Sequence, residues 1–172
     1  MSRLPKVHDP ERIILRRSIR VAIFLPISFA VMAYVLQMPA GINFAVYGTF
    51  FLLASSDFLA MPRTRFLAYL TTGCAGLIAI VLGSLAAQNA VVGIVGTFIV
   101  SFVLLICGVL RGFVAAAIPT VLLPFVIAVS AGPALADLPQ RLIGYSVAIV
   151  FSTFAAMVIW PASPALRLRV AL

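Results

Sequence analysis

Long apolar runs separated by short polar breaks dominate this chain. A helix needs about 20 mostly apolar residues to cross a hydrocarbon core roughly 30 Å thick. Six runs meet that requirement: 19–36, 42–60, 66–87, 91–110, 112–131 and 142–160. The breaks carry the residues that end helices and form turns, such as Gln37-Met38-Pro39-Ala40-Gly41, Met61-Pro62-Arg63-Thr64-Arg65 and Gln88-Asn89. The break at Arg111-Gly112 follows from length. Residues 91–131 hold a single charge, Arg111, and one helix of that length would be about 60 Å long, twice the core. The pattern predicts an all-α membrane protein, a bundle of six transmembrane helices over 19–160. A basic leader (1–18) precedes it and a short tail (161–172) follows.

Composition supports the pattern. Of 172 residues, 64% are apolar and 9% charged, against roughly 45–50% and about 25% in a soluble domain. So little polar surface excludes a soluble enzyme, a disordered chain and a disulfide scaffold. The net charge of +8 would suit a phosphate backbone, but the basic residues sit at the ends of apolar runs and never alternate with aromatics, so no nucleic-acid partner is expected. Cys74 and Cys107 lie within apolar runs, where a free cysteine behaves as a small hydrophobe.

Charge position sets the orientation. With the amino terminus inside, eleven of the twelve basic residues face the cytoplasm: Arg3, Lys6, Arg12, Arg16, Arg17, Arg20, Arg63, Arg65, Arg111, Arg167 and Arg169. Only Arg141 falls outside, beside Asp137. This is a strong positive-inside bias, and it puts both termini in the cytoplasm. Trp160 and Tyr69 then fall near inner span ends, Tyr34 and Tyr145 near outer ones, as an interfacial aromatic belt would place them. The leader is too long, and lacks an Ala-x-Ala site, to be a cleaved signal. Asp9-Pro10-Glu11 reads as a helix start, and Arg12, Arg16 and Arg20 follow on one face. That face either anchors the first span in lipid headgroups or forms an anion-gathering vestibule. Small residues Ala75, Ala79, Gly83 and Ala87 make a close-packing stripe in the third span, as do Gly112, Ala116 and Thr120 in the fifth. Pro26, Pro119 and Pro124 are candidate helix kinks, where freed carbonyls would line a cavity.

No catalytic set, metal cluster or phosphate-cradling loop is present, and His8 stands alone on the leader; neither an enzyme nor a cofactor is expected. Asp57 is the one acid well inside a predicted span, six residues before Arg63 and so about 9 Å from the cytoplasmic end. An intramembrane acid is costly, roughly 2.5–3.5 kcal/mol at the centre. Two roles remain open: Asp57 carries a proton, or it pairs with Arg63, Arg65 or Arg111 and pins the inner hairpins. Arg20, Arg63, Arg65 and Arg111 are the candidates for gathering anions at the inner mouth. Phe44, Tyr47, Phe50 and Phe51 read as core or lipid-facing positions rather than a stacking site.

Several segments resemble the amino-terminal membrane domain of the fusaric acid resistance protein-like family, which includes aromatic acid exporters. These are Leu15-Arg16-Arg17-Ser18-Ile19-Arg20-Val21-Ala22, then Ser56-Asp57-Phe58 with Pro62-Arg63 and Leu67-Ala68-Tyr69-Leu70. Gly108-Val109-Leu110-Arg111-Gly112-Phe113-Val114-Ala115-Ala116-Ala117 and Gln140-Arg141-Leu142-Ile143-Gly144, running on to Trp160-Pro161, complete the likeness. The resemblance implies a multi-pass bacterial inner-membrane module exporting aromatic carboxylates or similar amphipathic organic anions, proton-coupled, with an acid in the hairpin where Asp57 stands. Longer members carry a cytoplasmic domain and a second membrane half. A chain ending twelve residues after Trp160 is therefore expected to form a homo-oligomer or to join a second half. A passive anion channel, or a non-transporting membrane subunit that docks a partner or anionic lipid, are the alternatives. A reporter fused within residues 61–65 should read cytoplasmic; an external signal would overturn the orientation and the role given to Asp57.

Overall fold

The structure is a computed structural model that describes residues 13–55, 62–110 and 112–159, with side chains for 18–54, 66–109 and 117–157. Among these residues it is all-helical: α1 (Ile13–Ala30), α2 (Pro39–Ser55), α3 (Pro62–Ala86), α4 (Ala90–Leu110), α5 (Gly112–Ser130) and α6 (Leu138–Phe154). The wider π-type turn continues α1 over Val31–Val35 and α6 over Ala155–Ile159, and a 3-10 turn over Leu135–Asp137 leads into α6. Four stretches are long and apolar enough to cross a membrane: Ser18–Val35, Phe66–Ala86, Ala90–Val109 and Leu135–Met157. Two apolar helices are shorter, Pro39–Ala54 and Ala117–Ser130.

α2, α3, α5 and α6 pack against one another as the inner four; α1 leans on α2 and on the later part of α6, and α4 leans on α5 and α3. The face that α1 turns inward is Arg20, Phe24, Ser28 and Met32, all buried at fourfold spacing. Phe24 meets Phe151 and Phe154 with ring centroids 6.2 and 6.3 Å apart. Ser28 shares a 2.8 Å hydrogen bond with Thr49 of α2, and both are fully buried. α4 is the opposite case. Its side chains, from Val91 to Val109, stand largely exposed, among them stacked Phe98 and Phe102. An apolar surface of this extent is consistent with a membrane protein, since water-soluble monomers rarely expose contiguous apolar patches beyond a few hundred Å².

The α1–α2 reversal is built from backbone geometry. The Leu36 amide donates to the Val31 carbonyl (2.9 Å) and the Met38 amide to that of Met32 (3.1 Å). Gln37 adopts a left-handed φ of 54°, and Pro39 then opens α2, where its missing N–H is not needed. The turn is clamped by α6: Gln140 Oε1 accepts from the Ala40 amide at 3.3 Å, satisfying one of the orphan donors at the start of α2. Here Gly41 and Gly144 touch backbone to backbone. A Cβ at Gly144 would fall on the Gly41 carbonyl, and one at Gly41 on the Met32 methyl and the Gln140 carbonyl.

No side chain larger than hydrogen fits that crossing. Gly144→Ala should therefore force α2 and α6 apart and cost about 2 kcal/mol. Heating the detergent-solubilised chain while following helical circular dichroism should show a larger loss of Tm for it than for Gly132→Ala. Gly132 has φ 80° but open space around it, so only the backbone strain of about 1 kcal/mol applies there.

Candidate functional site: a buried arginine at the ends of three helices

The inward stripe of α6 carries Arg141, Tyr145, Ala148 and Ser152, each at most 2% exposed. Arg141, which the charge count sets on the outer side beside Asp137, is buried within the bundle at 2% exposure. Its Nη1 donates to Ser84 Oγ at 3.1 Å and to the Ala128 carbonyl at 3.5 Å, and its guanidinium carbon lies 6.0 Å from the centre of the Phe44 ring. A charge count says on which side of the membrane a residue lies, not which way its side chain turns. The periodicity of α6 was the overlooked signal: Arg141 shares a face with Tyr145, Ala148 and Ser152.

Each contact has a local cause. Ala128 is two residues before the end of α5, where carbonyls lose their helical partners. The Ala131 amide goes to Ile127 (2.9 Å) and the Gly132 amide turns back to Val129 (3.3 Å), so the Ala128 carbonyl turns to Arg141. Ser84 stands two residues before the end of α3. Arg141 thus sits between the negative ends of two helix dipoles, each worth about 0.3–1 kcal/mol to a cation, with a further ~0.5–2 kcal/mol from the ring face. None of these is a charge. Asp137 is the one acid among the described residues, and it makes no ion pair with Arg141. Among the described residues, the guanidinium is held by neutral groups.

One turn along, Tyr145 is fully buried and its hydroxyl donates to the Thr120 carbonyl at 2.8 Å. That carbonyl is free because Pro124, four residues on, has no N–H to offer it. α5 runs unbroken through Pro119 and Pro124, and the freed Thr120 carbonyl meets a phenol rather than lining a cavity. Gly76 of α3 makes room for that phenol, since a Cβ there would coincide with the Tyr145 hydroxyl. Tyr145 and Tyr69, expected at the membrane interface, are instead in the core at 0% and 1% exposure; Tyr34 is exposed at 75%. Phe44 is core, while Tyr47 and Phe50 are exposed. Further along the stripe, the fully buried Ser152 Oγ has no hydrogen-bond partner among the described residues.

Of the residues singled out for anion gathering, Arg20 is buried on the inward face of α1 and engaged in an interaction. Arg63 and Arg65 lie in the first turn of α3; their side chains, like Asp57 and Arg111, fall outside the described residues. So do the leader with His8, the Asp9-Pro10-Glu11 helix start, and Trp160. Pro26 is on the exposed side of α1. The described residues contain no group of three or more metal-ligating side chains. Comparison with protein-family models, curated proteins and solved structures returned no match.

Tyr145→Phe should strand the Thr120 carbonyl and cost about 1–2 kcal/mol of stability. In a Pro124→Ala background the restored amide takes that carbonyl, so the same substitution should cost markedly less. A double-mutant cycle on thermal unfolding that shows no coupling would refute the pairing.

Proposed function

We propose that this chain is a multi-pass module of an inner-membrane efflux transporter for organic anions. The observation that carries the reading is Arg141: a guanidinium buried inside an apolar bundle with no carboxylate beside it among the described residues. Retaining a bare cation there is costly, several kcal/mol after relaxation, and an intramembrane charge is by default a marker of a solute pathway. Other buried polar side chains accompany it, Thr120, Thr49, Ser28, Ser152 and Arg20, and the reading joins them into one seam through the bundle.

The reading takes all six helices across a bacterial inner membrane with both termini in the cytoplasm, as the positive-inside bias requires. α2 and α5, at 17 and 19 residues, are about 26 and 28 Å long, close enough to the hydrocarbon thickness to span with slight local thinning. Arg20 then marks the inner end of the seam, with Arg63, Arg65 and Arg111 around it, and Arg141 the outer end. The likeness to the fusaric acid resistance protein-like family supports aromatic carboxylates as the cargo. Asp57 is the group assigned to proton coupling, and the exposed face of α4 is where a second copy or a second membrane half would pack.

Reconstituted vesicles test this. With a pH difference imposed, the chain should accumulate an aromatic carboxylate such as benzoate against its gradient, and Asp57→Asn should abolish the accumulation. Dissipation of gradients without accumulation would identify a passive anion channel. Absence of flux for any organic anion, with loss of a partner when the leader is removed, would identify a docking subunit.

A further inference from the structure

We infer that Arg141 is the anion-binding residue of this bundle, and that the unused edge of its guanidinium takes the carboxylate of an organic anion, which competes for the cation with the Ser84 hydroxyl and the Ala128 carbonyl it now holds. The inference deepens the transport reading and rests on it for its purpose; its test reads binding, not flux.

The guanidinium is half used. Both of its hydrogen bonds leave from Nη1, while Nε and Nη2 donate to nothing among the described residues. Neither is among the sealed polar atoms left without a partner, although the side chain as a whole is almost fully buried. A guanidinium offers two parallel N–H groups along one edge, which match the two oxygens of a carboxylate. Arg141 therefore has an unused edge of the right geometry, on a positive charge that no carboxylate meets among the described residues, in apolar surroundings where an anion is attracted most strongly.

The groups that hold Nη1 can let go at small cost. Ser84 is inside α3, where a serine hydroxyl can donate back to the carbonyl four residues earlier, as Ser28, Ser130 and Ser146 do in this structure. The Ala128 carbonyl is one regular helical bond from the Gly132 amide. That amide now makes only a 3.3 Å bond to Val129, on a glycine with φ 80° and nothing within 4 Å of where its Cβ would be. Releasing Arg141 lets the Gly132 amide move from the Val129 carbonyl to that of Ala128, an exchange of one acceptor for another at the half-buried end of α5.

The surroundings select the rest of the ligand. Phe44, Ile80, Ala128 and Tyr145 form one apolar cluster, with Leu138 and Leu142 against it. These walls suit a flat or branched hydrocarbon body and disfavour a fully hydrated inorganic ion. The geometry thus points to an organic monocarboxylate at the α3–α5–α6 end of the bundle, with the Phe44 ring beside it.

The test is calorimetric titration of the full chain in an uncharged detergent with sodium benzoate, against sodium phosphate at matched ionic strength. The wild type should bind benzoate in preference to phosphate. Arg141→Gln should weaken benzoate about tenfold or more, and Arg141→Lys, which keeps the charge but loses the fork, should fall between. Ser84→Ala removes a competitor for the guanidinium and should tighten binding several-fold; because it leaves Arg141 in place, it remains informative if the Arg141 variants do not fold. Unchanged or weaker benzoate binding in Ser84→Ala, unchanged binding in a folded Arg141→Gln, or phosphate bound as tightly as benzoate would each overturn the inference. Absent benzoate binding alongside pH-driven flux of another anion would sink this site and leave the transport reading standing. Arg141-dependent binding without flux of any solute would do the reverse.

Discussion

Inside a helix bundle wrapped in hydrocarbon, a polar atom has to be answered by another atom of the protein, because water is absent and an unsatisfied group costs several kcal/mol. The buried contacts of this structure follow from that constraint. Pro124 releases the Thr120 carbonyl and Tyr145 takes it. The end of α5 releases the Ala128 carbonyl and Arg141 takes it. The start of α2 leaves an amide open and Gln140 closes it, and Ser28 and Thr49 answer each other. Three of these four contacts run from α6, which makes that helix the one that joins the others.

α6 does so because its neighbours have given up side chains along its path. Gly41 and Gly48 of α2, and Gly73 and Gly76 of α3, lie where its Gly144, Tyr145, Ala148 and Ile149 press in. Without a hydrophobic driving force between helices in lipid, packing and interhelical hydrogen bonds must hold them, and both need this close approach. The same closeness brings Tyr145 within reach of α5 and sets Arg141 between the ends of α3 and α5. Close packing and polar satisfaction are here one arrangement.

The two buried arginines differ in what surrounds them. Arg20 extends the inward face of α1 at one end of the bundle, in line with Phe24, Ser28 and Met32. Arg141 is at the other end, among apolar side chains and helix termini. A positive charge that meets, among the described residues, only dipoles, a hydroxyl and a ring face is electrostatically incomplete. That incompleteness connects the fold to the transport reading, since a passing anion supplies what the protein does not.

Helical class and membrane character were written in the chain as length and composition, and helices lie in all six apolar runs. Such features depend only on local sequence: about 20 apolar residues make a helix that suits a bilayer in any tertiary context. Pro124 could be marked as a place where a carbonyl is freed, because the missing N–H is a property of the residue itself. Which group would meet that carbonyl was not legible, since Tyr145 lies 25 residues away and is delivered by the packing of α6. Counting charges set Arg141 on the outer side but could not show its burial, because position along the chain is a one-dimensional measure, whereas burial depends on which way the helix is turned. The sequence alone determined what each segment is; only the tertiary structure decided which polar groups face one another, because each partner is brought by a different helix and neither residue specifies the other.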